Sequence, residues 1–296
     1  MRVLITGGAG KLAQYVAQAL CDRHEVILTD KNPLPEGCED VRKHMPFLQG
    51  DLTHKEHCFR VTEGIDAIAH LGAIAGAGPD TFMVNTVSTW NLYESAQAHG
   101  VKRVALASSI NALGLGPYRV SEKGFPLQRL PIDEEQLADP QDNYSLSKYV
   151  NELTARAFFS AYGIRTHCLR LCGIWRPEWF ETYRPRPLEQ LKRPNHEGYL
   201  VSTWHYVHSV DAAEAFRLSL EADDAPGFAV YYVVAPSTNR PEPTRDLIAR
   251  FLPQWLPLAE GITGRQGLYS TTKIGRELGW QARYLLPEEH LKGGTP

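Results

Sequence analysis

The chain has 296 residues, 43% of them hydrophobic and 22% charged, which suits one large globular fold with a sizeable core. Its formal net charge of −3 gives no cationic excess of the kind that nucleic acid or an anionic membrane selects. The five cysteines (Cys21, Cys38, Cys58, Cys168 and Cys172) form no CxxC pair and have no histidine at zinc-ligand spacing, the usage of reduced thiols with no metal site.

In chain order, short apolar runs alternate with longer amphipathic ones. Arg2–Thr6, Glu25–Thr29, Pro46–Gln49, Ala67–Leu71 and Arg103–Ala107 read as buried strands, with helical stretches near Lys11–Cys21, His54–Val61 and Phe82–His99 between them. A longer helix is expected over Asn143–Tyr162, then a sixth strand over Arg165–Arg170. Trp175–Pro194, rich in proline, arginine and aromatics, reads as a loop-built cap. Val210–Leu220 returns to helical periodicity, Ala229–Val234 reads as a further strand, and two short helices are expected beyond Pro241. The expected fold class is α/β, a Rossmann-type doubly wound parallel sheet with right-handed crossovers. Residues 1–172, completed by about 205–236, would form the sheet domain; 173–204 and 237–296 would form a small, partly interleaved region beside it. The apolar run Val3–Ile5 meets glycines at once and no later run has membrane length, so a soluble, cytoplasmic chain is expected.

The first strand leads into Thr6-Gly7-Gly8-Ala9-Gly10-Lys11-Leu12-Ala13 and then a helix. Glycines at a strand-to-helix turn allow positive φ and a close backbone approach to a pyrophosphate, which the helix N-terminus favours. Asp30 ends the next strand, where a carboxylate accepts from both ribose hydroxyls of NAD and repels the extra phosphate of NADP. Asp51, at the end of the third strand, stands where an adenine would lie or else caps the next helix. Asn85 faces the same ligand or is a surface residue.

Tyr144 and Lys148 share one helix face at a four-residue spacing, downstream of Ser108-Ser109 at the end of the fifth strand. A phenol is a poor base near neutrality, but an ammonium and a positive nicotinamide beside it favour phenolate, so Tyr144 can accept an alcohol proton. A serine at the strand end can hold the substrate oxygen.

These residues together resemble the extended branch of the short-chain dehydrogenase/reductase superfamily, the NAD-dependent epimerase/dehydratase family. The resemblance covers nearly the whole chain. It rests on Thr6 to Gly10, Asp30, Asp51-Leu52, His70-Leu71-Gly72-Ala73, Asn85 through Asn91-Leu92, Ala107-Ser108-Ser109, Tyr144 to Lys148, and Lys273-x-x-x-Glu277-Leu278-Gly279-Trp280. It implies an oxidoreductase in which Ser109, with Ser108 as the fallback, polarises the substrate oxygen and Tyr144 is the acid/base. Lys148 would bind the nicotinamide ribose and lower the tyrosine pKa. The implied NAD site comprises Gly7, Gly10, Lys11, Leu12, Asp30, Asp51, Leu52, Leu71, Gly72, Ala73, Asn85, Ala107, Tyr144 and Lys148. A homodimer through the helices near Phe82–His99 and Asn143–Tyr162 is also implied.

The departures from that family bear on the substrate. Gly173 stands where sugar-nucleotide enzymes carry an asparagine, and Trp204 where they carry an arginine for the diphosphate. A buried diphosphate wants paired cations. Ser202-Thr203-Trp204, His70-Leu71-Gly72 and Leu169-Arg170 look more like uronate dehydrogenases, which oxidise a sugar acid to a lactone. On that reading Arg170 is a candidate carboxylate ligand, and Ala75, Ser109, Ile110, Asn111 and Trp204 are substrate-side candidates. Arg184, Arg186, Lys192 and Arg193 are either a second anion site or a solvated basic loop; His205 and His208 either line the site or are structural. Net oxidation of a free sugar or sugar acid leads. The alternatives are a sugar-nucleotide epimerase or dehydratase with recycled NAD, and a non-catalytic NAD-binding protein.

Overall fold

The computed structural model describes residues 1–121, 123–188 and 197–291. The chain opens with β1 (Arg2–Thr6), α1 (Lys11–Leu20), β2 (Glu25–Asp30), β3 (Phe47–Gln49), α2 (Lys55–Thr62), β4 (Ala67–His70) and α3 (Thr81–Ala98). β5 (Arg103–Ser109), α4 (Asn143–Tyr162) and β6 (Arg165–Leu171) follow. Then come β7 (Gly173–Trp175), α5 (Pro177–Thr182), α6 (Glu197–Trp204), β8 (Tyr206–His208), α7 (Ser209–Glu221) and β9 (Phe228–Val233). The last elements are α8 (Thr244–Phe251), α9 (Thr272–Leu278) and α10 (Glu288–Leu291).

Seven strands form one parallel sheet in the order β3-β2-β1-β4-β5-β6-β9. Both faces are covered, which is why the strands read as unbroken apolar runs. Val3 and Ile5 of β1 pack with Val16 and Leu20 of α1 and Phe216 of α7. Leu4, between them, packs on the other face with Val61 of α2, Leu92 of α3 and Phe158 of α4. From β1 the chain runs outward through β2 and β3, then returns to place β4 on the other side of β1. That reversal opens a crevice at the carboxyl ends of β1 and β4, where open α/β sheets bind ligands.

A second core lies beyond those strand ends, built from Leu113, Phe125, Trp204, Leu247, Trp255 and Leu268 among others. It joins the connection after β5 to segments from the last third of the chain. Asp211 of α7 anchors the tail: its carbonyl accepts from Trp280 Nε1 (2.9 Å), and its carboxylate from the Arg283 and Tyr284 amides (3.1 and 2.9 Å).

Three features depart from expectation. The cap contains α5, with Pro177 at its first position, where a fixed φ and a missing N–H cost a helix nothing. β7 and β8 form a separate parallel pair too short to leave a periodic signature. The tail carries α10 in addition to two short helices.

His205 is structural: Nδ1 donates to the Val201 carbonyl (2.7 Å) and Nε2 accepts from the Leu268 amide (2.8 Å), which together require the neutral ring. His208 caps α7 by accepting from Val210 N and stacks on Tyr284 at 4.3 Å.

Two outcomes are expected. Gly114 ends the turn after β5 at φ +90°, and a Cβ there would run into the Asp139 backbone. Gly114→Ala should therefore cost about 1–3 kcal/mol of unfolding free energy in urea titrations; an unchanged midpoint would contradict this placement. Burial lowers His205 from 6.5 to about 4, against its carbonyl bond, and lowers His70 to about 3, with the nearby Lys148 charge adding to it. Between pH 6.5 and about 4 the unfolded chain then binds more protons, so stability should fall as pH drops through that window. A urea midpoint that stays flat over that range would argue against these two neutral rings.

Candidate active site

Gly7, at φ +67°, is where β1 turns out of the sheet. A Cβ on it would sit 2.9 Å from the Gly72 amide nitrogen, so the loops after β1 and β4 touch backbone to backbone. Gly72 N donates to Thr6 Oγ1 (3.1 Å), fixing that contact. Gly10 is the N-cap of α1 and offers no side chain to its first turn, which leaves those amides to an outside anion. Asp30 ends β2 with Oδ2 accepting from Ala9 N (3.2 Å) and Oδ1 from Asn32 N (2.9 Å).

Gly7, Gly10, Asp30, Asp51, Leu52, Leu71, Gly72 and Ala73 line one cleft of about 460 Å³ along the strand ends. Asp51 faces it while accepting from Thr53 N and Oγ1 (2.9 and 2.8 Å); it does not cap α2, whose N-cap is His54, so the carboxylate closes the turn ahead of that helix instead. Burial raises the Asp51 pKa, but the Thr53 hydrogen bonds and the Lys31 charge outweigh it and hold the group below the usual range. Lys11 is exposed and Leu12 packs against the core; neither is among the cleft's lining residues. Asn85 is not a surface residue. It accepts from Ile74 N (2.8 Å) and donates to the Ile74 carbonyl and Ser147 Oγ (both 3.0 Å), pinning the loop after β4 to α4.

The turn is also held from below by Arg42. Its Nη1 donates to the Gly8 and Gly10 carbonyls (3.1 and 2.9 Å), and Asp40 grips the guanidinium. Nothing in the sequence marks this residue, because the contact spans 32 positions. The arrangement fits a dinucleotide: a cradle that a side chain would fill, free helix amides, and a carboxylate at the ribose position.

The second group of residues meets where β5 faces α4. Asp142 caps α4 by accepting from Ser145 N (2.8 Å), which sets Tyr144 in its first turn and Lys148 one turn on. Lys148 Nζ donates to the Ala107 carbonyl (2.8 Å) and lies 5.8 Å from the Tyr144 ring centroid. The two serines of β5 point apart. Ser108 Oγ donates to Glu152 (2.6 Å), while Ser109 lines the same pocket as Tyr144 and accepts from Asn111 N (3.1 Å). Strand alternation thus puts Ser109, not its neighbour, beside Tyr144.

Burial pushes the Tyr144 phenol above its ordinary value, against the pull of the neighbouring Ser109. Burial also draws Lys148 down to about 8, with Glu152 opposing. In the protein alone the surroundings of the phenol therefore favour its neutral form.

Ser109 and Tyr144 open onto a pocket of about 220 Å³, lined also by Ala75, Ile110, Asn111, Cys172, Gly173 and Ser202. Tyr118, which has no sequence signal, lines it as well, its ring edge-on to Tyr144 at 6.4 Å. Two substrate-side expectations are corrected. Arg170 is 4% exposed and its guanidinium is engaged by Glu152 and Tyr232, so it has no face to offer a substrate carboxylate. Trp204 is buried in the second core, where its ring packs against Phe251, and Ser202 of the same helix reaches the pocket instead. Arg184 and Arg186 are exposed, while Lys192 and Arg193 lie outside the described residues. Among the described residues no group of three or more His, Cys, Asp or Glu is placed to hold a metal ion.

The pattern of the NAD dependent epimerase/dehydratase family matches residues 3–234. A uronate dehydrogenase of Pseudomonas syringae pv. tomato is 32% identical over 173 residues, 57% of this chain and 58% of that protein. The match thus spans less than two thirds of that relative's length. Among solved structures, a short-chain dehydrogenase/reductase superfamily protein from Agrobacterium tumefaciens with bound NAD superposes with a TM-score of 0.70 at 20% identity, over 99% of this chain and 95% of that one. UDP-glucose 4-epimerase from Thermotoga maritima, with UDP-glucose, gives 0.68 at 20% identity, over 99% and 96%. At such identities the superpositions speak for the shared sheet and helices. With its family pattern running from β1 to the end of β9, the chain belongs to the NAD dependent epimerase/dehydratase family.

Proposed function

We propose that the protein is an NAD-dependent, sugar-directed oxidoreductase that oxidises a hydroxyl of a free sugar or sugar acid, with Tyr144 as the acid/base. The observation that carries this reading is that Ser109 and Tyr144 line one pocket, with Lys148 one turn further along the same helix, next to the dinucleotide cleft. NAD, when bound, supplies the hydride acceptor. Asp30 accepts from the adenosine ribose, and the turn from Gly7 to Gly10 with the start of α1 receives the pyrophosphate. Lys148 holds the nicotinamide ribose. Ser109 donates to the substrate oxygen and fixes it beside the Tyr144 phenol. A positive charge arriving beside that phenol favours its ionisation, and Tyr144 then takes the hydroxyl proton as the carbon loses its hydride.

Three features favour a small substrate. The pocket, at about 220 Å³, is below the about 300 Å³ where drug-sized ligand sites begin and suits a single sugar ring. Gly173 lines it where sugar-nucleotide enzymes carry an asparagine, and Trp204, in place of their arginine, is committed to the core. The uronate dehydrogenase relative points the same way.

The outward face of α3 and α4 leaves Trp90, Leu146, Leu153 and Tyr162 exposed, and we assign it to a homodimer interface. The five cysteines are free, as suits the cytoplasm, where we place the protein. Among the described residues no helix is long and apolar enough to cross a membrane.

Incubated with NAD and a panel of aldoses and uronates, the protein should release free NADH. Turnover of a UDP- or dTDP-sugar with no free NADH, and no reaction with the free sugars, would replace this reading with a recycling epimerase or dehydratase. Tyr144→Phe should keep NAD affinity and lose about 10²–10⁴-fold in kcat. Unchanged turnover in that variant would remove the tyrosine from the chemistry. Trp90→Glu places a charge in the assigned interface and should shift the protein from dimer to monomer in sedimentation velocity; a wild-type protein that sediments as a monomer counts against the assignment.

A further inference from the structure

Behind Ser109, Tyr144 and Lys148 lie two buried charges that the chemistry above does not use. Glu152 stands one helical turn beyond Lys148 on α4, and Arg170 comes from β6; both are 4% exposed. Arg170 meets the carboxylate with two donors, Nε to Oε1 (2.9 Å) and Nη2 to Oε2 (2.8 Å). The remaining partners close the network: Ser108 Oγ donates to Oε1 (2.6 Å), and Arg170 Nη1 donates to Tyr232 Oη (3.1 Å). The guanidinium also lies over the Tyr232 ring, 5.4 Å from its centroid. A pair buried this deeply is weak evidence for stability, because desolvating two ions offsets most of their attraction.

Its connections suggest a different role. Ser108 immediately precedes Ser109 on β5. Arg170 immediately precedes Leu171, which with Cys172 and Gly173 walls the substrate pocket. Glu152 shares its helix face with Lys148 and Tyr144. The pair therefore touches each element that carries part of the site, one residue or one turn away from the working group.

We propose that Glu152 and Arg170 are a positioning pair for the reaction: together they tie α4 to the ends of β5 and β6 and set the charge balance at the Lys148 ammonium. The proposal rests on the reading of Lys148 given above. The charged and titratable groups around Lys148 are few. Tyr144 and Glu152 face it from α4, His70 from β4 and Arg170 from β6 behind Glu152, while β5 offers the Ala107 carbonyl. His70 is held neutral by burial, and Tyr144 is neutral in the protein alone. The balance at Lys148 is thus between burial, which favours the amine, and Glu152, which favours the ammonium; the Arg170 guanidinium, bonded to both oxygens of that carboxylate, opposes its field.

Removing either member leaves the other's field uncancelled, and the two fields act in opposite directions on Lys148. The test follows the Lys148 Cε resonance against pH in the intact, cofactor-free protein made with isotope-labelled lysine, assigned by its loss in Lys148→Met. The wild-type midpoint is expected at about 8. Glu152→Gln should lower it and Arg170→Met should raise it, each by about one pH unit. A pair that only braces the fold would move neither. Midpoints that stay in place, or that move in the same direction, overturn the proposal. Should either charge variant fail to fold, Ser108→Ala removes a single hydroxyl and no charge. It leaves the Glu152 carboxylate less well satisfied and should raise the midpoint by a few tenths of a unit; no movement overturns the proposal. The measurement needs no substrate, so an unreactive sugar panel would count against the proposed reaction and leave this result standing.

Discussion

Where the loops after β1 and β4 meet, there is no room for a side chain. Gly7 sits at positive φ with its α-carbon facing the Gly72 backbone, and a Cβ on it would lie 2.9 Å from the Gly72 amide nitrogen. That contact is possible because the sheet order reverses at β1, which leaves β1 and β4 adjacent with their connections running opposite ways. The crevice between those connections is what the rest of the site is arranged around. Asp30 and Asp51 reach it from the ends of β2 and β3 and the α1 amides from the start of that helix, and Thr6 Oγ1 and Arg42 hold its two walls from behind.

The second organising element is α4. Its cap at Asp142 sets the phase of the helix, and the 3.6-residue turn then puts Tyr144, Lys148 and Glu152 on one face. They serve successive depths: Tyr144 at the pocket, Lys148 against the Ala107 carbonyl, and Glu152 on the buried arginine. β5 answers with the alternation of a strand, Ser109 toward the pocket and Ser108 toward Glu152. Low exposure is what makes these groups sensitive to one another. A buried ammonium or phenol has lost its water, so one neighbouring charge or hydrogen bond weighs more than it would at the surface.

The sheet, its faces and the glycine turn were legible because each depends on local pattern. Apolar runs with helical stretches between them specify parallel strands covered on both sides, and the glycine turn gains its meaning from the strand before it, the helix after it and Asp30 ending the next strand. Tyr144 and Lys148 were legible less by their spacing of four, which many helices share, than by their place after the fifth strand and Ser108-Ser109. What the pattern could not carry was the direction in which a side chain ends up pointing. Arg170 alternates with apolar neighbours like any other strand residue, and only its placement opposite Glu152, 18 positions away, removes it from the substrate pocket. Trp204 sits two residues from a pocket residue yet turns into the second core. Arg42 and Tyr118 had no signal, since each acts across contacts that lie far apart in the chain.

By itself the sequence determined the class of fold, the glycine turn after β1 and the shared helix face of Tyr144 and Lys148, because periodicity, glycine and helical spacing are properties of a few neighbouring residues. Only the tertiary structure decided which serine faces Tyr144, which way burial shifts that phenol and Lys148, and that Arg170 belongs to an internal ion pair. Those outcomes depend on what β4, β5, β6 and α4 bring together from distant parts of the chain, and on how much water that packing leaves around each group.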